Sequence, residues 1–161
     1  MIIVVMGVAG SGKTTVGRAL AASLGWDFAD ADDFHPPENI AKMSAGRPLD
    51  DADRAPWLAA LRAWIDACLA RGGDAVVTCS ALKRRYRDVL LPDTPRVRLV
   101  YLQGSRELLA ARLRSRPDHF MKPGMLDSQL AALEPPADAL ALDIAPPPEM
   151  LVAEIRRAFG L

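Results

Sequence analysis

The sequence has few cysteines, no excess charge of either sign and no long apolar run. Only Cys68 and Cys79 occur among 161 residues, without metal-site spacing, which excludes a disulfide-rich scaffold. Twenty Lys and Arg residues balance twenty Asp and Glu residues, so no basic field is available for nucleic acid and no acidic excess indicates disorder. We therefore expect reduced, buried thiols and a function that depends on local charge.

The first apolar stretch, MIIVVMG, is too short for a membrane span and has no basic segment typical of a signal peptide. Half of the residues are hydrophobic, which suits one globular domain with a substantial core. No repeat or linker divides the chain. We predict a single domain over 1–161, in the cytoplasm, that binds neither nucleic acid nor membrane.

Short apolar segments alternate with longer segments of helical period. The pattern predicts strands at IIVVM, WDFA, AVVTC, VRLVYL and ALALDI, and helices over about 13–24, 82–91, 107–116 and 149–159. The segment PWLAALRAWIDACLARGG predicts a further helix with one apolar stripe. Strands without strict polar alternation are typical of a buried parallel sheet, so we expect a ligand cleft at their carboxyl ends.

The motif GVAGSGKT follows the first strand and fits the Walker A pattern of a phosphate-binding loop. Glycines allow backbone N–H groups to surround phosphate oxygens at the positive end of the next helix. Lys13 is expected to reach the terminal phosphates, and the Thr14 hydroxyl to ligate magnesium. The predicted nucleotide-binding residues here are Gly7, Val8, Ala9, Gly10, Ser11, Gly12, Lys13, Thr14 and Thr15.

Two missing features narrow the class of phosphate-loop protein. Asn39 is the only asparagine and Ile40 follows it, so the guanine-reading Asn-Lys-x-Asp motif is absent. The strand AVVTC has no aspartate at its end, where a Walker B carboxylate normally supports magnesium. Another carboxylate must therefore support the metal.

The acidic segment DADDFHPPEN supplies candidates for that carboxylate. If this segment is extended, Asp30 and Asp32 share one face, because side chains two apart point the same way, and Asp33 points away. We predict that Asp30 acts on magnesium through coordinated water and that Asp32 faces a substrate hydroxyl. The alternative is a solvated acidic loop.

Four segments together resemble the gluconate kinase family, whose relatives are the shikimate and adenylate kinases. They are GVAGSGKTT, DADDFHPPENIAKMSAGRPLDDADRAPWL, CSALKRRYRDVL and RPDHFMKPGMLDSQLAALEPP, and they cover nearly the whole chain. The first is shared by many kinases, whereas the second and third are similar to gluconate kinases in particular. The resemblance implies an α/β three-layer P-loop kinase fold with a five-stranded parallel sheet, helices on both faces, a mobile lid and a homodimer. It also implies ATP- and Mg²⁺-dependent phosphorylation of D-gluconate to 6-phospho-D-gluconate.

Two anions must meet in such a reaction, so the cleft needs cations. Arg112 and Arg116, one helical turn apart, resemble the arginines near the lid of related kinases. Arg112 is expected to stack on adenine and Arg116 to reach the phosphates as the lid, about 117–124, folds over the site. His119 in that lid is expected to contact substrate. A solvated basic helix is the alternative.

Further cations follow the strand that ends in CSA. Lys83 and Arg87 share a helical face and are expected to bind the substrate carboxylate or the transferred phosphate, while Arg84 can pair with Asp88. The alternative for such a basic run is a solvated helix or a nucleic-acid patch.

Arg54 resembles the position at which shikimate kinases hold their substrate's carboxylate, and His35 is expected to hydrogen-bond sugar hydroxyls. The alternatives are that Arg54 pairs with Asp50 or Asp51 and that His35 caps the next helix.

The predicted catalytic residues are Lys13, Asp32 and Arg116, with Asp32 orienting and deprotonating the acceptor hydroxyl. Two alternative functions stay open at this point: a kinase for shikimate or a nucleotide, and a nucleotide-dependent switch that hydrolyses ATP slowly and binds a protein partner.

Overall fold

The computed structural model describes residues 1–116 and 124–161 of the chain. Within them lie five strands, namely β1 Ile2–Met6, β2 Asp27–Asp30, β3 Ala75–Thr78, β4 Val97–Gln103 and β5 Leu140–Asp143. The same residues form α1 Lys13–Leu24, α2 Pro37–Ser44, α3 Asp51–Ala70, α4 Arg84–Leu90, α5 Arg106–Arg114, α6 Met125–Ala132 and α7 Pro148–Phe159. None of these helices is both long enough and apolar enough to span a membrane.

The described strands form one sheet in the order β2-β3-β1-β4-β5, and all its pairs are parallel. Strand β1 lies at the centre, where Val4 is in register with Val77 of β3 and with Leu99 of β4. All five residues of β1 are buried, as expected for a central strand covered on both faces. The α/β prediction with a five-stranded parallel sheet is confirmed.

Alternate residues of β1 enter two separate hydrophobic cores. Ile3 and Val5 pack with residues of α1, α5, α6 and α7, whereas Ile2 and Val4 pack with residues of α3 and α4. Each fully buried side chain of this size contributes about 1.5–3 kcal/mol through removal from water. The result is three layers, helices on both faces of the sheet, with the carboxyl ends of the strands free to carry a site.

Helix α3 begins earlier than the apolar stripe predicted. Asp50 accepts a hydrogen bond from Asp53 N, and Asp53 accepts one from Asp50 N, which together form a capping box at the start of the helix. Pro56 lies in the second turn, downstream of that cap. The cap therefore places Arg54 in the first turn of α3, at the edge of the cleft.

Candidate active site

The segment from Gly7 to Gly12 connects β1 to α1 and is called the phosphate loop below. At Gly7, which has φ 155°, an added Cβ would lie 2.6 Å from Ser11 Oγ and 2.8 Å from the carbonyl oxygen of Leu102. At Gly10, with φ 81°, it would lie 2.9 Å from the side chain of Leu113. Only glycine fits these two positions, so the tight curvature of the loop depends on them.

Two side chains of the phosphate loop region suit a bound polyphosphate. Ser11 Oγ is buried and has no hydrogen-bond partner within residues 1–116 and 124–161. Lys13 Nζ donates to the carbonyl oxygen of Val8 at 3.2 Å, which folds the ammonium group back over the loop. Burial lowers the pKa of Lys13, and the nearby carboxylate of Asp32 acts in the opposite direction. An unpaired hydroxyl and a folded-back cation are thus available to phosphate oxygens.

The residues predicted to support magnesium are in direct contact. Thr14, in the first turn of α1, donates from its hydroxyl to Oδ2 of Asp30 at 2.9 Å. Asp30 is the last residue of β2, and it pairs in register with Thr78 at the end of β3. A hydroxyl and a carboxylate oxygen are hard ligands of the kind that Mg²⁺ prefers. The residues therefore fit a magnesium ion, held by the Thr14 hydroxyl with Asp30 acting directly or through water.

The expected extended geometry of Asp30 and Asp32 is wrong. Residues Ala31–Phe34 form a 3₁₀ turn, and Oδ1 of Asp30 caps it by accepting a hydrogen bond from Asp32 N at 3.1 Å. The side-chain cap closes the turn immediately after the strand, so no extended Asp-x-Asp face exists. Asp33 lies in the same turn and is exposed.

Asp32 nevertheless stays close to the phosphate loop. Burial among surrounding protein atoms, followed by repulsion from Asp30, raises the pKa of Asp32, and attraction to Lys13 and His35 partly offsets the rise. The side chain is open to solvent in spite of that desolvation. A carboxylate with an elevated pKa beside a phosphate-loop lysine is suited to orienting a hydroxyl and accepting its proton.

His35 is fixed by stacking and by one hydrogen bond. Its ring lies on that of Trp57, with centroids 4.4 Å apart and planes 13° from parallel. Its Nδ1 is 3.3 Å from Nδ2 of Asn39, a donor that also binds the carbonyl oxygen of Asp53 at 2.8 Å. Burial lowers the pKa of His35, so the ring is neutral, with Nδ1 as acceptor and Nε2–H as donor.

The alternative role of His35 as a helix cap is wrong. The N-cap of α2 is Pro36, and no side chain caps this helix. Trp57, beneath His35, donates from Nε1 to the carbonyl oxygen of Ala31 at 2.6 Å and so ties the 3₁₀ turn to α3. Contacts with Trp57 of α3 therefore fix the positions of both His35 and the turn that holds Asp32.

Arg54 does not pair with Asp50 or Asp51. Its Nη1 donates to the carbonyl oxygen of Leu49 at 2.6 Å, and its guanidinium lies 5.4 Å from the centre of the Tyr86 ring. Asp50 accepts the capping hydrogen bond from Asp53 N, and Asp51 is bound by Tyr86 Oη at 2.7 Å and by Arg85 at 2.8 Å. These hydrogen bonds hold the pKa of Asp51 below its usual range.

Three cationic side chains lie around the ring of Tyr86. Arg54 and Arg85 lie 5.4 Å and 5.2 Å from its centroid, and Lys83 Nζ lies at 6.0 Å. Sequence reasoning missed Tyr86, although it is the one aromatic residue in KRRYR. We call Arg54, Lys83 and Tyr86 the basic cluster; it offers two side-chain cations to an anion.

The predicted substrate role of Arg87 is wrong. Its guanidinium donates to the carbonyl oxygens of Ala81 at 2.8 Å, Leu82 at 3.1 Å and Glu134 at 2.8 Å, and the residue is only 7% exposed. Arg87 faces these buried carbonyls instead of the cleft. Lys83 and Arg87 have helical spacing, but α4 begins at Arg84, so Lys83 is its N-cap residue, and Nζ of Lys83 lies 6.0 Å from the centre of the Tyr86 ring. The expected ion pair between Arg84 and Asp88 is present at 4.0 Å.

Arg112 and Arg116 lie on the wall of a cavity of about 270 Å³, which they share with Gly10 and Gly12 of the phosphate loop and with Pro146. Arg112 Nη2 donates to the carbonyl oxygen of Ile144 at 2.5 Å. This places its guanidinium at the loop that follows β5. The cavity is continuous with the phosphate loop, as a nucleoside pocket requires.

The lid predicted over about 117–124, with His119, falls outside the described part of the chain except for Gly124.

Comparison with known proteins gives consistent matches. The family model described as shikimate kinase matches residues 9–134. A gluconokinase of Gluconobacter oxydans (strain 621H) is 47% identical over 160 residues, which cover 98% of this chain and 90% of that protein.

Two crystal structures are also similar. A sugar kinase from Janibacter sp. HTCC2649 is 46% identical with a TM-score of 0.89, and the match covers 99% of this chain and 94% of that one. A gluconokinase from Sinorhizobium meliloti 1021 is 48% identical with a TM-score of 0.81, over 94% of this chain and 87% of that one.

Proposed function

The chain belongs to the gluconokinase family, and we infer that it is a kinase that transfers the γ-phosphoryl group of ATP to gluconate, giving 6-phosphogluconate. A series of contacts carries this inference. Thr14 donates to Asp30, Asp30 caps the turn that holds Asp32, and His35 follows that turn and stacks on Trp57, one helical turn from Arg54 in α3. The series runs from the start of α1, beside the phosphate loop, to the basic cluster. It suits an open-chain acceptor with a hydroxyl at one end and a carboxylate at the other.

At the phosphate end, Asp32 orients the terminal hydroxyl and accepts its proton during transfer. A strong base is not needed, because phosphoryl transfer passes through a loose transition state in which positioning and charge stabilisation dominate. Lys13 and Arg116 stabilise the negative charge on the transferred group and its leaving oxygen. The raised pKa of Asp32 makes its carboxylate a stronger acceptor for the proton of the attacking hydroxyl.

Thr14 and Asp30 would hold the magnesium ion that accompanies ATP. When bound, this ion neutralises charge on the β- and γ-phosphate oxygens. The cavity beside the phosphate loop takes the nucleoside, with Arg112 against the adenine.

At the acid end, Arg54 and Lys83 bind the carboxylate of gluconate. Arg54 is pre-oriented by Leu49 and Tyr86, so little side-chain freedom is lost on binding. His35, as a neutral ring with Nε2–H as donor, hydrogen-bonds an intermediate hydroxyl. The protein thus contacts the substrate at its carboxylate, at an intermediate hydroxyl and at its terminal hydroxyl.

The family resemblance also supports a homodimer, and the buried, free thiols of Cys68 and Cys79 support a reducing compartment such as the cytoplasm, where ATP and magnesium are abundant. Sedimentation analysis of the purified protein tests the homodimer directly.

A coupled assay of ADP release tests the function. Release that depends on gluconate is expected, with little release in its absence. Release that is independent of any acceptor would indicate a nucleotide switch. Release that depends on shikimate or a nucleoside monophosphate, and not on gluconate, would indicate a kinase for another acceptor.

A further inference from the structure

Helix α6 and the residues just after it contact both ends of the site. Oε1 of Gln129 accepts a hydrogen bond from Ala9 N in the phosphate loop at 2.8 Å. Oε2 of Glu134 accepts one from Arg84 N, at the start of α4, at 2.6 Å. One short element is therefore bonded to two segments that lie more than 70 residues apart in sequence.

The contact of Gln129 lies at the middle of the phosphate loop. Ala9 stands between the two tightly packed glycines, Gly7 and Gly10, and its side chain contributes no hydrogen bond of its own. Within the loop, Ser11 N donates to the carbonyl oxygen of Val8 at 3.2 Å. The bond from Ala9 N to Gln129 is thus a further restraint, and it comes from a distant part of the chain.

The contacts of Glu134 fix the segment that presents Lys83. Ala81 has φ 46°, a left-handed conformation that is costly for a residue other than glycine. Glu134 N donates to the carbonyl oxygen of Leu82 at 2.8 Å, and the carbonyl oxygen of Glu134 accepts from Arg87 at 2.8 Å. These bonds surround the strained residue and hold residues 81–84 in place.

Helix α6 is anchored independently of Gln129 and Glu134. Leu126 is buried in the hydrophobic core that lies against α1. Asp127 accepts two hydrogen bonds from the guanidinium of Arg106, at 2.6 Å and 2.9 Å, at the start of α5. Substitution of Gln129 or Glu134 therefore leaves the helix docked while it removes a single contact.

We propose that α6 and the two residues after it are a brace shared by the two substrate sites, with Gln129 positioning the phosphate loop for ATP and Glu134 positioning residues 81–84 for the sugar acid. The assignment of the two ends to ATP and to the acid rests on the proposed function. Neither residue is a catalytic residue in this scheme. Each acts through a backbone N–H group, Ala9 in one case and Arg84 in the other.

Separate Michaelis constants for ATP and gluconate test the brace. Gln129→Met keeps the length and helix propensity of the side chain but removes the acceptor, so the KM for ATP should rise about 3- to 10-fold, the effect of one hydrogen bond. The KM for gluconate should stay within about twofold. Glu134→Ala should show the reverse pattern, and Glu134→Gln, which retains an acceptor for Arg84 N, should restore the KM for gluconate.

Ser128→Ala, an exposed neighbour on α6, is the matched control and should change neither constant. KM does not depend on the fraction of enzyme that is folded, so partial unfolding cannot imitate this pattern. Parallel changes of both constants in each variant, or no change in either, would overturn the brace. If the wild type lacks gluconate-dependent turnover, the proposed function fails instead, and equilibrium binding of ATP to the wild type and Gln129→Met then decides the role of Gln129.

Discussion

The hydroxyl of Thr14 and the carboxylate of Asp30 are joined by a 2.9 Å hydrogen bond across the space between α1 and β2. In many phosphate-loop enzymes the metal-supporting carboxylate follows a strand next to β1, but here β3 ends at Thr78 and is followed by Cys79. The carboxylate is supplied one strand further out in the sheet. The contact brings it back to the start of α1, where a nucleotide-bound ion would lie.

Replacing Asp30 should therefore weaken magnesium binding and raise the magnesium concentration that activity requires. Asp30→Asn removes the negative charge but preserves the shape, and the magnesium concentration at half-maximal activity should rise about 10- to 100-fold, as for other groups that support a metal. A magnesium titration at saturating ATP and gluconate measures this. Asp33→Asn, exposed in the adjacent turn, is the control. An unchanged titration for Asp30→Asn would remove this residue from the metal site.

Asp32→Asn should lower the turnover rate but raise the stability of the folded protein at neutral pH. Loss of the proton acceptor should lower kcat about 100-fold or more. Burial and the neighbouring Asp30 raise the pKa of Asp32 above its unfolded value, so the folded state binds this proton more tightly. Its contribution to stability is present at low pH and lost as pH rises through the elevated pKa. At neutral pH the charged carboxylate is therefore destabilising, and the asparagine removes that penalty.

Thermal melts of the wild type and Asp32→Asn at neutral pH and near pH 4 test whether the charge of Asp32 destabilises the folded state. The variant should have the higher Tm at neutral pH, and the difference should shrink as the pH falls. The kcat of the wild type should also decline in acid at a higher pH than an ordinary aspartate would give. A lower Tm for the variant at neutral pH would contradict this electrostatic description.

Arg87 should matter for stability. Arg87→Met leaves the carbonyl oxygens of Ala81 and Glu134 without their donor and removes one of the two donors to Leu82, so the free energy of unfolding should fall by about 2–4 kcal/mol. Urea unfolding measures the loss, and the KM for ATP should not change. Arg84→Met, on the exposed side of α4, should be nearly silent. Unchanged stability with loss of gluconate binding would restore a direct substrate role to Arg87.

Arg116 should act on the rate more than on binding. Its side chain is exposed and lines the cavity proposed for the nucleoside, and in the proposed reaction it stabilises charge on the transferred group. Arg116→Ala should lower kcat at least about tenfold and raise the KM for ATP by less. Arg114→Ala, also exposed on α5, serves as the control. An increase in the KM for ATP at constant kcat would assign Arg116 to ground-state binding only.

Local patterns predicted much of this molecule. The helix after the phosphate loop was expected over 13–24 and is observed as Lys13–Leu24, because a glycine motif, an apolar period and a terminal glycine all agree. Each predicted strand is present, although β3 and α4 are shorter at their shared loop. The strained conformation of Ala81 in that loop has no signature in the sequence.

Side-chain partners were harder to predict than elements. A helical period shows that Lys83 and Arg87 lie four residues apart, but it cannot show that the carbonyl oxygen of Glu134, 47 residues away, accepts a hydrogen bond from Arg87. The cap from Asp30 that closes the 3₁₀ turn reverses the expected extended geometry. Gln129 lies 120 residues from its partner Ala9, and a contact of that range leaves no trace in a single sequence.

Comparison of kcat/KM for gluconate and glucose with ATP tests most directly whether the site reads a hydroxyl and a carboxylate together. Glucose lacks the carboxylate and leaves Arg54 and Lys83 without their anion, at about 1–3 kcal/mol for each orphaned partner. The expected result is a kcat/KM for gluconate at least about 100-fold higher than for glucose. Equal values for the two sugars would contradict recognition of the acid by the basic cluster.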